Sequence, residues 1–136
     1  MMPTPHWMTS LALALSMLPA SQAGAQASRP ADLLAAYSQE AGRPANAEQG
    51  RRFFTSTHGG EWSCASCHQS TPSTPGRHAA TGKAIAPLAP AFNPERFTQA
   101  SKVEKWFRRN CRDVLSRECS SSEKADVLAW LITLRP

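Results

Sequence analysis

Residues 64–68 read Cys64-Ala65-Ser66-Cys67-His68. Two thiols three positions apart, followed at once by an imidazole, make the C-x-x-C-H pattern of c-type haem attachment. Each thiol adds across a haem vinyl group, and the histidine beside the second is held under the ring as an axial ligand of iron. Cys64 and Cys67 are thus the expected thioether residues and His68 the expected proximal ligand of one covalently attached haem c. Two rival readings use the same residues. Cys64, Cys67, Cys111 and Cys119 can be drawn as a tetrahedral zinc site, and a bare C-x-x-C as a thioredoxin-like redox pair. Zinc leaves His68 without a role, and the redox pair lacks the alternating strand and helix pattern in which such a motif sits.

The amino terminus places this chemistry in a compartment. The first 27 residues contain no Asp, Glu, Lys or Arg, and Leu11 to Leu18 is an apolar run. That run is too short to span a bilayer, which takes about 20 apolar residues. Ala23-Gly24-Ala25 and Ala25-Gln26-Ala27 both fit the small-x-small cleavage pattern, so residues 1–27 are expected to be a removable secretory signal and 28–136 the mature domain. No basic residue precedes Leu11, which departs from the usual signal pattern. Export fits haem attachment, which in bacteria occurs outside the cytoplasmic membrane, and the periplasm is the expected location. The mature part carries the whole formal charge of +5. That excess suits an acidic redox partner or an anionic surface and is too small and too evenly spread for nucleic acid.

Four helices are legible by period. Pro30 opens the first, over 31–40, with Leu33, Leu34 and Tyr37 on one face. The second runs from Asn46 to about Thr57 through Gly50, Phe53 and Phe54, and His58-Gly59-Gly60 stops it. Residues 69–94 hold seven prolines or glycines and little periodicity, which reads as an extended loop wrapping the haem. Val103, Trp106, Phe107 and Asn110 define a third helix over 101–110. Ser120 and Glu123 form a capping box before a fourth, over 121–134, with Val127, Trp130, Leu131 and Leu134 as its stripe. Nothing reads as a strand. The expectation is an all-α, haem-centred bundle with a long Pro-rich loop. Its order resembles a class I cytochrome c, in which first and last helices cross closely, here with Gly50 against Trp130.

The sixth position on iron is the open question. Met1, Met2, Met8 and Met17 are the only methionines, and all lie in the expected signal. His58 is tethered near the proximal side and suits a helix end. His78, in the loop, can reach the distal side and would give a bis-His haem. Lys83 and Tyr37 are weaker donors, and Asn46 and Asn93 stand where Asn bonds its local backbone. Asn110 differs because it continues the apolar stripe, where an unpartnered amide costs about 1–3 kcal/mol. Either it is a helix-end Asn bonding the backbone, or its oxygen faces the iron. An amide oxygen is a hard, weak-field donor that suits ferric iron and holds ferrous iron poorly.

Residues 83–90 (Lys-Ala-Ile-Ala-Pro-Leu-Ala-Pro), 93–98 (Asn-Pro-Glu-Arg-Phe-Thr), 102–111 (Lys-Val-Glu-Lys-Trp-Phe-Arg-Arg-Asn-Cys) and Glu118-Cys119 resemble the sphaeroides haem protein family of monohaem cytochromes c. The similarity runs from about Gly50 to the C terminus. It implies a class I cytochrome with His68 as proximal ligand and Asn110 as a displaceable distal ligand. It also implies binding of oxygen or nitric oxide by the reduced protein, and a dihaem cytochrome c or a membrane cytochrome b as electron donor.

Cys111 and Cys119 remain once the haem has taken its thiols, and an even pair in an oxidising compartment reads as a disulfide. Trp106 and Phe107 read as core residues that also line the distal pocket, and Arg108 and Arg109 as a solvated face or as partners for haem propionates. The function expected is ligand binding coupled to electron transfer, with Asn110 leaving the iron on reduction. The alternative is a plain electron carrier with a permanently six-coordinate haem. An enzyme reducing oxygen or a nitrogen oxide would need a proton donor beside the bound ligand, and no distal acid or histidine offers itself.

Overall fold

A computed structural model describes Met1 and residues 27–136, so the expected signal lies outside the described residues except at its ends. Five helices follow in order: α1 (Pro30–Ala41), α2 (Ala47–Thr55), α3 (Cys64–His68), α4 (Ala100–Leu115) and α5 (Ser121–Thr133). Between α3 and α4 the chain forms a two-stranded antiparallel hairpin, β1 (Gly76–Arg77) and β2 (Ala84–Ile85). The described part is thus mostly helical, with two elements the periodicity does not reveal. One is α3, a single turn too short for any period. The other is the hairpin, whose strands of two residues each carry no alternation.

Local chemistry starts α2, α3 and α5. Asn46 accepts from the Gln49 amide at 3.0 Å to open α2. Ser120 and Glu123 close a reciprocal capping box on α5, and Ser63 and Ser66 do the same for α3. The helix of the Trp-Phe-Arg-Arg-Asn-Cys string runs past its expected end at Asn110 to Leu115, and Ser116 caps it in the left-handed conformation. Asn110 is therefore inside the helix, and the helix-end reading of its side chain falls.

α5 is the spine of the fold, with α1 and α2 packed along it. Its buried stripe is Val127, Leu128, Trp130 and Leu131, joined by Leu33, Tyr37 and Phe54 from α1 and α2. The Trp130 and Phe54 rings lie 5.0 Å apart, within the range of favourable aromatic pairs. Gly50 does sit at a close crossing, but against Asp126 and Val127 rather than Trp130. A methyl group on Gly50 would overlap the Asp126 carbonyl and meet the Val127 amide at 2.7 Å. Asp126 is buried and charged, and it ties the same crossing from the other side. Its carboxylate accepts from the Arg43 guanidinium at 3.1 and 2.6 Å and from the Asn46 amide at 2.6 Å. One aspartate on α5 thus holds the link between α1 and α2.

Gly50→Ala is expected to destabilise the holoprotein by about 3 kcal/mol, since both obstructing groups are backbone. Asp126→Ala is expected to cost about 2–3 kcal/mol through the loss of charged hydrogen bonds. Denaturant melts followed at the haem band check both, and wild-type midpoints would overturn this account of the crossing.

Candidate haem site

The three residues of the C-x-x-C-H pattern reach one cavity because α3 is a helical turn seated on α2 and β1. Gly76 of β1 is buried against it, and a Cβ there would overlap the Cys67 carbonyl. The Ala79 amide donates to Cys67 Sγ at 3.2 Å, which lays the hairpin on the same side of the motif. The loop that sequence reading leaves unstructured is in fact a clamp on the attachment helix.

The cavity has a volume of about 770 Å³ and is lined mainly by apolar side chains, among them Phe53, Phe54, Leu88, Phe97, Val103, Val127 and Leu131. That is the size and character of a cofactor pocket, typically about 300–1,000 Å³. Burial raises the Cys64 thiol to about 11, with the nearby Cys67 adding to the rise, so it is a neutral thiol at physiological pH. Burial, assisted by the Arg96 charge, lowers His68 to about 4. Its imidazole is therefore neutral, the form that coordinates a metal.

The opposite contribution comes from α4. Val103, Trp106, Phe107 and Asn110 all line the cavity. Phe107 is half-buried and packs on the core, whereas Trp106 is 44% exposed, under the Arg109 guanidinium at 5.7 Å. Trp106 is thus a rim residue rather than a core one, and Arg109 covers it. Arg108 turns toward Glu118 at 3.6 Å, on an exposed face. The Asn110 amide makes no hydrogen bond to any described residue, and its polar atoms are not sealed inside protein.

Of the other sixth-ligand candidates, His58 is exposed and bonds the Phe53 carbonyl at 2.8 Å, outside the cavity wall. Tyr37 is engaged with Glu104, and Asn46 and Asn93 bond local backbone. His78, Lys83 and Asn93 do line the cavity. His78 Nδ1 accepts from the Thr81 amide at 3.3 Å, which leaves the ring proton on Nε2 in the neutral imidazole.

Arg96 is the cavity residue that pattern reading passes over. It is half-buried, and desolvation holds its guanidinium below the ordinary value. It donates to the Pro87 and Ala86 carbonyls at 2.9 and 2.8 Å and has no carboxylate partner among the described residues. The signal was faint: an arginine in an Asn-Pro-Glu-Arg turn looks like any surface charge.

The donor set decides between the metals. A disulfide joins Cys111 to Cys119, with their Cα atoms 5.6 Å apart, so those sulfurs are unavailable to zinc. Among the described residues, no three His, Cys, Asp or Glu side chains gather as a metal site. Two free thiols, a neutral imidazole and an apolar cavity instead fit a covalently bound porphyrin.

The fold and the site are those of a c-type cytochrome, and comparison with known proteins agrees. Residues 40–131 match a family described as a domain of unknown function (DUF1924). The cytochrome c-type protein SHP of Cereibacter sphaeroides is 48% identical over 123 residues, which is 88% of this chain and 95% of that protein. The solved structure of oxidised SHP, described as an oxygen-binding cytochrome c, superposes with a TM-score of 0.75. It is 47% identical, covering 79% of this chain and 99% of that one. The solution structure of Methylophilus methylotrophus cytochrome c'', described as giving insight into haem-ligand detachment, has a TM-score of 0.68. It is 37% identical, covering 79% and 94% of the two chains. This chain belongs to the sphaeroides haem protein family, has the cytochrome c fold and carries covalently attached haem c.

Gly76→Ala is expected to push the hairpin off α3 and lower the yield of haem-loaded protein several-fold, the cost of overpacking being about 1–3 kcal/mol. Cys64→Ser with Cys67→Ser should abolish retention of haem through acid-organic extraction. Haem-to-protein ratios measure both. Retention by the double variant would remove thioether attachment from the account.

Proposed function

We propose that residues 28–136 form a periplasmic haem protein, exported by a signal over residues 1–27, in which Cys64 and Cys67 anchor the haem and His68 and Asn110 ligate its iron. Asn110 leaves on reduction, and the ferrous protein binds oxygen or nitric oxide. A dihaem cytochrome c or a membrane cytochrome b supplies the electron. The observation that carries this is Asn110 itself. It is a mid-helix amide on the cavity wall, and it bonds no described residue. A haem filling the cavity would shut this amide away from water, where an unpartnered polar group is costly, and an iron at that position would give it a partner.

When bound, the haem supplies a one-electron couple and a sixth coordination position. The rest is the work of the chain. His68, neutral and buried, gives its lone pair to the proximal side. Asn110 would offer a weak oxygen donor from the α4 wall, one that reduced iron would hold poorly. Phe107 and Trp106 limit water at the position it leaves. Arg96 offers its uncompensated charge to the porphyrin carboxylates, a pairing that would relieve its desolvation. SHP is described as oxygen-binding and cytochrome c'' as detaching a haem ligand, which agrees with such a cycle here. His78 is disfavoured as distal ligand because its Nδ1 accepts from the Thr81 amide and its hairpin lies on the attachment helix.

Ferric wild type is expected to show high-spin character without a sulfur-to-iron band, and the reduced protein to take up carbon monoxide rapidly. Asn110→Ala should open the ferric haem to azide or cyanide with attachment intact. Asn110→Met or Asn110→His should give a low-spin haem that excludes carbon monoxide. A low-spin ferric spectrum that Asn110→Ala leaves unchanged and His78→Ala abolishes would sink this function in favour of a plain electron carrier.

A further inference from the structure

We infer that Glu104 is a positioning residue for the distal ligand: by tying α4 to α1 and α5 it sets how firmly Asn110 holds the sixth position. The inference rests on the Asn110 ligation proposed above. Its starting point is that α4 is fastened unlike the other long helices. α1 and α2 lie along α5, whereas the inner face of α4 looks onto the cavity. Two attachments bracket Asn110. Immediately after it, Cys111 is bonded to Cys119. Before it, the Glu104 carboxylate accepts from the Tyr37 hydroxyl of α1 at 2.5 Å and from Lys124 Nζ of α5 at 2.7 Å.

This knot is half sheltered: the Lys124 side chain is 15% exposed and the Glu104 side chain 38%, so the pair is screened from the carboxylate side only. It also reaches the cavity wall directly. Lys124 Nζ lies 5.4 Å from the Tyr37 ring centre and 6.0 Å from that of Phe107, and Tyr37 meets Phe107 edge-on at 6.0 Å. Phe107 lines the cavity about one turn before Asn110.

A single attachment at Cys111 leaves a helix free to roll about its axis. Side-chain tips lie about 5–6 Å from that axis, so a roll of about 10° moves an amide by about 1 Å. Displacements of that size are enough to change reactivity at a site by about 100-fold. The second attachment at Glu104 removes the roll. A weak donor has little bonding energy with which to correct its own position, so the helix must present it correctly.

The test uses full-length haem-loaded protein and azide binding to the ferric form, where Asn110 competes with the anion. Asn110→Ala should tighten azide binding strongly. Glu104→Ala should tighten it about tenfold and raise the reduction potential, while Glu104→Gln and Tyr37→Phe, which keep part of the knot, should do so less. The double variant Glu104→Ala with Asn110→Ala should match Asn110→Ala alone, because no ligand remains to be positioned. Wild-type azide affinity in all three knot variants, whatever their melting temperatures, would make the knot merely structural. An equal effect of Glu104→Ala with and without Asn110 would show that it acts by another route. If Asn110→Ala itself changes nothing, the ligand assignment falls first and the inference with it.

Discussion

At Gly50 the backbones of α2 and α5 meet with no room for one more carbon, and the rest of the pocket depends on that contact. Because α2 and α5 touch there, Phe54 and Trp130 stack beside them and Val127 and Leu131 turn one face toward the cavity. α2 in turn carries α3, so the position of the haem thiols is inherited from a glycine over a dozen residues upstream. Asp126 makes the crossing specific as well as close. A buried carboxylate is stable only when its lone pairs are filled, and here Arg43 and the Asn46 amide fill them. Sliding α2 along the otherwise apolar stripe would break those bonds, which selects against it.

How much of this could be read from the chain follows the range of the forces. The 3.6-residue period and the caps Asn46 and Ser120 are local, and they locate α1, α2 and α5 to within two residues or so. The C-x-x-C-H run is local too and declares its chemistry outright. The end of α4 is misjudged because Arg112, Asp113 and Val114 follow no clean stripe, although the helix runs on through them to Leu115. Asp126, Glu104 and Lys124 look like solvated charges on amphipathic helices. Their partners Arg43 and Tyr37 are 83 and 67 residues away, respectively for Asp126 and Glu104, and no spacing rule reaches that far. Gly76 and Arg96 are lost among loop residues for the same reason. The haem motif and the crossing glycine Gly50 were legible; Asp126, Gly76 and Arg96, which hold the site in place, were not.

The two walls of the pocket are built to different standards of rigidity. On one side, backbone meets backbone at Gly50 and at Gly76, and the hairpin adds a bond to Cys67 Sγ. Such contacts cannot be altered without moving whole elements. On the other side, α4 presents Val103, Phe107 and Asn110 across the cavity and is secured by a disulfide and by one carboxylate with two donors. This wall is held through side chains rather than through backbone contact.

That asymmetry matches what a haem protein with an exchangeable sixth ligand requires. The proximal side gains from stiffness, because thioethers and imidazole must stay fixed through every redox cycle. The distal side gains from a ligand that is weak and well placed together. A strong donor such as a thioether sulfur would remain on ferrous iron whatever the geometry, and a weak donor on a loose loop would not hold ferric iron at all. An amide on a helix tethered at both ends lies between these limits. Under the proposed Asn110 ligation, hold in the ferric state would come from placement, and release in the ferrous state from the poor affinity of a neutral oxygen for the softer ion. On this view a pocket of this design has no use for a methionine, and residues 28–136 contain none.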